Sequence, residues 1–338
     1  MKRIKILDCT LRDGGSLNNW IFGKDKIQEI LQRLNDANLD IIEIGFIDNN
    51  ACENIESSLN SSNEYFENMS SLIRDKRCNT VAMIDVSKYK LEKFNLSKSE
   101  NLNGIRIMFN KEQMSSAFNL AEKLQELGYE ISLNPVSVTG YSDNQILELI
   151  KEVNNINIKR LYIVDTYGLL NMQETLDKYR FFNENLKEDI EIGYHSHNNL
   201  QLSFANSLAL ISEKDTRDIV IDSSLYGMGK RAGNTPTELI ANYLNKSYNA
   251  NYDIDIITDL IDRIILPMHN YFNWGYSFVH YIAAINNCHS DYVSYLRSEK
   301  KLSFSKISEI LEKIDEVKKL KFDKKYADEI ILGEIYGK

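Results

Sequence analysis

The sequence predicts an α/β fold, a (β/α)8 TIM barrel followed by a C-terminal helical extension. Three observations predict it. Short apolar runs alternate with helical patterns, eight runs in all, and polar residues collect at the ends of those runs. Beyond about residue 250 the alternation stops and helical patterns continue alone.

The first run is Ile4 to Leu7, followed by Ile41 to Phe46, Val81 to Val86 and Ile105 to Phe109. Ile131 to Val138 is the fifth, and Leu161 to Val164, Ile192 to His195 and Ile219 to Ile221 complete the set. Most are apolar on both faces, as parallel strands covered on both sides must be. Between them, Lys24 to Leu34 is apolar at helix spacing and stops in the polar segment Asn35 to Asn38. Glu112 to Leu127 repeats the pattern and ends at Gly128, while Ser142 opens a helix with the capping-box order Ser-Asp-Asn-Gln. Eight strands over about 245 residues match the count and length of a (β/α)8 barrel. An open doubly wound sheet is the alternative; no Gly-x-Gly-x-x-Gly follows the first run to support its dinucleotide-binding form. The barrel is therefore expected over residues 1–248 and the extension over 249–338. In the extension, Asp253 to Ile265, Trp274 to Asn287 and Ser303 to Leu320 read as helices. The apolar face of Phe304 to Val317 has to pack on something.

Composition narrows the function. At 43% hydrophobic and 26% charged residues, the chain has the make-up of a globular enzyme. Its net charge is −9 and no Lys/Arg cluster interleaves with aromatics, which speaks against a nucleic-acid partner. Cys9, Cys52, Cys78 and Cys288 are scattered without a CxxC, as expected of reduced thiols in a cytoplasmic protein. The N-terminal residues run straight into a strand and leave no room for a signal peptide. No membrane span is expected either, since the longest uncharged stretch, Trp274 to Cys288, is interrupted by Asn, His and Ser.

Chemistry concentrates in Tyr-His-Ser-His-Asn-Asn. A strand puts His195 and His197, two apart, on one face. Two neutral imidazoles need one carboxylate to make a facial set for a divalent ion. Asp13, in Leu-Asp-Cys-Thr-Leu-Arg-Asp-Gly-Gly, is the candidate, because barrel closure lays strand one beside strand eight and one place from strand seven. Each feature has a plainer reading on its own: packed histidines, a solvated Arg12-Asp13 turn, Asp165 as a helix cap. Further polar residues sit on or after the strands, among them Glu43, Arg106, Asn134, Asp165 and Asp222. The loop Gly227 to Asn234 leads into Thr235 as cap and Pro236 at the first helical position. Such a loop also offers N–H groups to an anion.

These motifs, with Asp-Thr-Tyr-Gly and Gly-Met-Gly-Lys-Arg-Ala-Gly-Asn-Thr-Pro-Thr-Glu, resemble in order those of the metal-dependent pyruvate-aldolase and acyltransferase superfamily. That HMG-CoA lyase-like group includes 4-hydroxy-2-oxovalerate aldolase and the isopropylmalate and homocitrate synthases. The resemblance runs over residues 1 to 245. It implies a divalent ion, Mn²⁺ or Mg²⁺ with Co²⁺ or Zn²⁺ also accepted, held by Asp13, His195, His197 and Asn234. It implies Arg12 as the catalytic arginine stabilising an enolate oxygen, with Glu43 and Asp165 beside it. Arg106, Asn134, Gly229 and Gly233 are then expected on the substrate.

The branch is read from the C-terminal part. Trp274 to Tyr281 resembles the extension of the 4-hydroxy-2-oxovalerate aldolases, placing Tyr276 and His280 at its two aromatic positions; a packed helix is the alternative. Those aldolases carry a histidine shortly after Arg-Asp-Gly, where this chain has Ser16, Leu17, Asn18, Asn19 and Trp20. The general base then passes to His280 or a metal-bound water. The lyase branch uses a cysteine in the glycine loop, occupied here by Met228, Lys230 and Arg231. Lys230 and Arg231 suggest a substrate with a second anionic group, or simply a solvated loop. The expectation is a class II aldolase making or cleaving a 4-hydroxy-2-oxo acid, with a 2-oxo acid and an aldehyde as partners and a homo-oligomeric state. An acyl-CoA condensing enzyme of the isopropylmalate synthase type is one alternative. An inactive barrel serving as scaffold for a partner dehydrogenase is another.

Overall fold

The computed structural model describes residues 2–74, 77–89, 100–319 and 321–336. The strands are β1 (Ile4–Asp8), β2 (Ile41–Ile47), β3 (Leu59–Asn60), β4 (Asn79–Asp85), β5 (Gly104–Phe109), β6 (Glu130–Pro135), β7 (Arg160–Asp165), β8 (Glu191–Ser196) and β9 (Ile219–Ser223). Their order is β1-β9-β8-β7-β6-β5-β4-β2, and β1 pairs back onto β2 in parallel, so eight strands close a TIM barrel. The two-residue β3 pairs with β2 outside that ring. Strand alternation sorts the side chains. Leu7, Cys9, Ile41, Val81, Tyr162, Val164 and Val220 form their own small cluster, while Ile6, Ile42, Ala82, Ile105 and Ile221 join the larger core shared with the helices.

The barrel helices are α1 (Lys24–Asp36), α2 (Asn63–Ser70), α3 (Met114–Glu126), α4 (Asp143–Val153), α5 (Met172–Asn185), α6 (Ser203–Ile211) and α7 (Thr237–Tyr248). Helix α4 opens on the expected capping box, with Ser142 and Gln145 bonded reciprocally. Two boundaries differ from expectation. The fifth run stops being strand at Pro135, because Ser137 adopts φ 58° and turns the chain at the rim. Helix α7 starts one residue late, with Pro236 as its cap. The Thr235 hydroxyl lies 3.3 Å from Ser207 instead, while Thr237 donates to Asp8.

After Tyr248 the chain continues as α8 (Ile254–Leu260), capped by Asp253, then a π-helical stretch (Ile261–Ile265) and α9 (Leu266–His269). Ile257, Leu260, Ile264, Ile265 and Trp274 pack into the barrel core. A second core begins at Ile282 and is built by α10 (Phe278–Ile285), α11 (Ser290–Ser298), α12 (Phe304–Leu311) and α14 (Lys324–Tyr336). Buried residues of the first core thus run on to Trp274, and those of the second start at Ile282. The run Trp274 to Asn287 is a turn followed by α10, because Ser277 caps the helix at His280. Ser303 to Leu320 is likewise two pieces, α12 and α13 (Glu316–Lys319), with Asp315 accepting from the Lys318 N–H; Leu320 lies outside the described residues. Among the described residues no helix is long and apolar enough to cross a membrane.

Candidate metal centre

The C-terminal ends of β1 and β8 set the centre. After Asp8 the chain folds back, and the Asp13 N–H donates to Cys9 O at 2.8 Å. His195 lies within β8, and His197 forms an isolated bridge with Asn234. Ligand atoms of Asp13, His195 and His197, all buried, lie within 4.8 Å of one another. The imidazole rings stand at 86° with centroids 5.3 Å apart. His195 Nδ1 is 2.9 Å from Asp222 Oδ2 and His197 Nδ1 is 3.2 Å from Gly233 O, which leaves both Nε2 atoms for a ligand.

Asn234 lies against the triad. Its Nδ2 donates to Asp13 Oδ2 at 2.8 Å, while its Oδ1 is buried with no partner among the described residues. One carboxylate, two imidazoles and an amide oxygen suit a divalent ion, and an orphaned buried oxygen beside them fits that use. Two glycines permit the approach. A Cβ at Gly229 would stand 2.3 Å from Asn234 Nδ2 and 2.7 Å from Asp13 Oδ2. A Cβ at Gly168, where φ is +60°, would stand 2.3 Å from His197 O.

Buried ions connect the triad to itself. Arg12 donates through Nη1 to Asp13 (2.8 Å) and through Nε to Glu43 (2.7 Å). Arg106 lies 2.9 Å from the same Glu43 oxygen and donates to Asp222, which holds His195. Burial works against the charge on Asp13, but Arg12 and the two histidines outweigh it and hold the carboxyl well below its usual range. Burial pushes His197 down to about 3, so it is the neutral imidazole that a metal needs. Burial also opposes the Arg12 charge, yet Glu43 and Asp13 keep the guanidinium cationic. Its Nη2 is buried and has no partner among the described residues.

The remaining expected residues fall in different places. Arg106 is 0% exposed and stacks on the Tyr162 ring at 4.4 Å. It bridges the interior carboxylates of Glu43 and Asp222. Asn134 is buried on β6 with its Oδ1 unpartnered among the described residues. Asp165 accepts the N–H groups of Leu169 (2.9 Å) and Leu170 (3.0 Å), a turn-capping role, and burial raises it to about 6. Tyr276 is 56% exposed in the turn before α10. His280 is half-buried on α10; burial and nearby Arg231 lower its pKa, and its Nδ1 is buried without a partner among the described residues. In place of the expected histidine, Trp20 donates to Arg12 O at 2.7 Å. Asp222 was visible as a polar strand end, but its grip on His195 was not. His289 gave no signal at all; it caps α11 close to Arg231.

The family model described as HMGL-like matches residues 3–264. The chain belongs to that family and is an enzyme of the carbon–carbon lyase kind. It is similar to 4-hydroxy-2-oxovalerate aldolase from Geobacillus thermodenitrificans, 26% identical over 78% of this chain and 76% of the relative. It is also similar to oxaloacetate decarboxylase from Mycobacterium tuberculosis, 27% identical over 75% and 74%. Among solved structures, the N-terminal domain of an aldolase candidate from Bacteroides vulgatus superposes with a TM-score of 0.76. It is 24% identical and covers 90% of this chain and 98% of that one.

Proposed function

We propose that this HMGL-like enzyme is a class II aldolase that cleaves or forms a 4-hydroxy-2-oxo acid through a pyruvate enolate. The observation that carries the reading is the setting of Arg12. Two of its arms are fixed on Asp13 and Glu43, and its buried Nη2 has no partner among the described residues. A cation so held is a preorganised donor for an oxygen that gains negative charge, the role that commonly contributes about 3–4 kcal/mol to lowering a barrier. Asp13, His195, His197 and Asn234 would hold a divalent ion, Mn²⁺ or Mg²⁺ in our reading. That ion supplies Lewis-acid polarisation of a 2-oxo acid. Glu43, Arg106 and Asp222 keep Arg12 and His195 in register. His280, whose Nδ1 is unpaired among the described residues, takes the proton from the substrate hydroxyl as the carbon–carbon bond breaks.

Trp20 favours a second reading. The segment Ser16 to Trp20 carries no side chain suited to remove that proton, and its indole is tied to Arg12 O. Decarboxylation of a 2-oxo diacid such as oxaloacetate reaches the same enolate with no hydroxyl proton to remove, and one relative bears that activity in its name.

Purified enzyme with Mn²⁺ in deuterated water, followed by NMR of the pyruvate methyl group, tests the shared step. Metal-dependent exchange that disappears in Arg12→Ala supports it. Absence of exchange in the unmodified enzyme sinks both readings and favours acetyl-CoA condensation. Retro-aldol cleavage of 4-hydroxy-2-oxovalerate set against loss of CO₂ from oxaloacetate then separates the two.

A further inference from the structure

The glycine loop and the C-terminal helices bring together three basic side chains that the proposed chemistry does not use, Arg231, His289 and the exposed Lys230. Arg231 lies over the Tyr167 ring, 4.7 Å from its centroid, and donates through Nη1 to Thr166 O at 3.0 Å. Its Nε is buried and has no partner among the described residues. The other edge of Tyr167 meets the His289 ring at 6.3 Å. His289 is itself fixed, its Nδ1 accepting the Asp291 N–H at 3.2 Å as the cap of α11.

Burial, then Arg231, pushes His289 down to about 4, and Lys230 adds to that effect. Burial and Arg231 likewise lower Lys230 and His280. Asp291, 61% exposed and 3.7 Å from His289, opposes this for all of them, and Asp13 acts on Lys230 and Arg231 from the triad. With His289 and His280 neutral, Arg231 and the exposed Lys230 carry the positive charge here, and a buried arginine N–H without a partner among the described residues is costly unless an acceptor joins it. A guanidinium braced on an aromatic face is suited to a planar or tetrahedral oxyanion.

We propose that Arg231, beside Lys230 and backed by Tyr167 and His289, seats an anionic group at the far end of the substrate, a carboxylate or phosphate carried by the aldehyde. The seat rests on the aldolase reading for its aldehyde, and it lies between the glycine loop that closes over Asp13 and the helices that bring His280. It gives the C-terminal extension a task in specificity, since α11 supplies His289 and α10 supplies His280 to its walls.

Titration calorimetry on the full-length Mn²⁺-loaded enzyme tests this with succinate semialdehyde, glyceraldehyde 3-phosphate and butanal. At least one anionic aldehyde should bind about 30-fold more tightly than butanal, the scale of one hydrogen bond to a charged group. The tighter of the two anions identifies the source. Arg231→Gln should bring that preference to within about threefold, and Arg231→Lys, which keeps charge without the fork, should retain an intermediate share. Equal binding of all three aldehydes overturns the proposal, as does an undiminished preference in folded Arg231→Gln. If Arg231→Gln does not fold, Arg231→Lys decides, and an unchanged preference there counts against the seat. Pyruvate methyl exchange on the same samples keeps the two readings apart. Preference without exchange removes the aldolase and leaves the seat, while exchange without preference does the reverse.

Discussion

Arg217 and Arg12 sit at opposite ends of the barrel and are buried alike, 7% and 6% exposed. Arg217, just before β9, donates through Nη1 to Lys187 O (2.6 Å) and Ile190 O (2.7 Å) and through Nη2 to Asn183 O (2.9 Å) and Leu186 O (3.0 Å). Its Nε goes to the Asn183 side chain. These acceptors are the last carbonyls of α5 and the turn beyond, so the arginine seals a helix end. Arg12, just after β1, holds two carboxylates and leaves Nη2 unpaired among the described residues. Burial alone therefore does not tell structure from function. Arg217 spends its donors on a helix end, whereas Arg12 is held firmly beside the triad with one donor in reserve for a ligand.

The largest test of that contrast removes the triad. Asp13→Ala or His197→Ala should bring metal content, read by elemental analysis after gel filtration, to background and abolish pyruvate exchange with it. Arg12→Ala should retain the metal and lower exchange by about 10²–10³-fold, the scale of one lost oxyanion donor. Normal exchange in that variant would remove Arg12 from the chemistry. Arg217→Met should do the opposite. Urea unfolding should record a loss of about 3 kcal/mol, from carbonyls left without their donor, while exchange per folded molecule stays within about twofold. A variant of Arg217 that loses exchange but not stability would erase the distinction between the two ends.

Asp222→Asn sharpens the comparison from the carboxylate side. It weakens the hold of Arg106 and Asp222 on His195, so metal affinity measured by competition with a chelator should fall about 10–100-fold. The smallest effect concerns Asp8, which burial raises to about 6 despite its bonds to Thr237 and Thr10. Its folded pKa exceeds the unfolded value, so its stabilising contribution is present below about pH 4 and is lost as pH rises toward 6. His197, lowered in the fold, runs the other way and loses stability as pH falls below about 6.5. The difference between wild type and Asp8→Asn isolates the first slope: the variant's urea midpoint should gain on the wild type between pH 4 and 6. Parallel curves would mean that Asp8 is already ionised in the fold.

Much of the barrel was legible because strand and helix periods are local properties of the chain. Ser142 with Gln145 capped α4 where their residue types said they would. The proximity of Asp13 to His195 and His197 was legible too, since closure of a barrel makes first and last strands neighbours. The unbroken helix expected over Ser303 to Leu320 was not found, because Asp315 offers a second cap that apolar spacing does not register. The ion pairs of Arg106 with Glu43 and Asp222 were not legible either, because they depend on the register of three separate strands.

By itself, the sequence determined the alternation of elements, the fold class they close into and the three residues that could meet at its mouth. These follow from hydrophobic period and from the topology of a closed parallel sheet. Only the tertiary structure decided which polar atoms remain unpaired once everything is packed. Among the described residues, Arg12 Nη2, Asn234 Oδ1 and Arg231 Nε are buried without partners by surroundings that come from distant parts of the chain. Hydrogen-bond satisfaction is a property of three-dimensional surroundings, and no spacing along the chain encodes it.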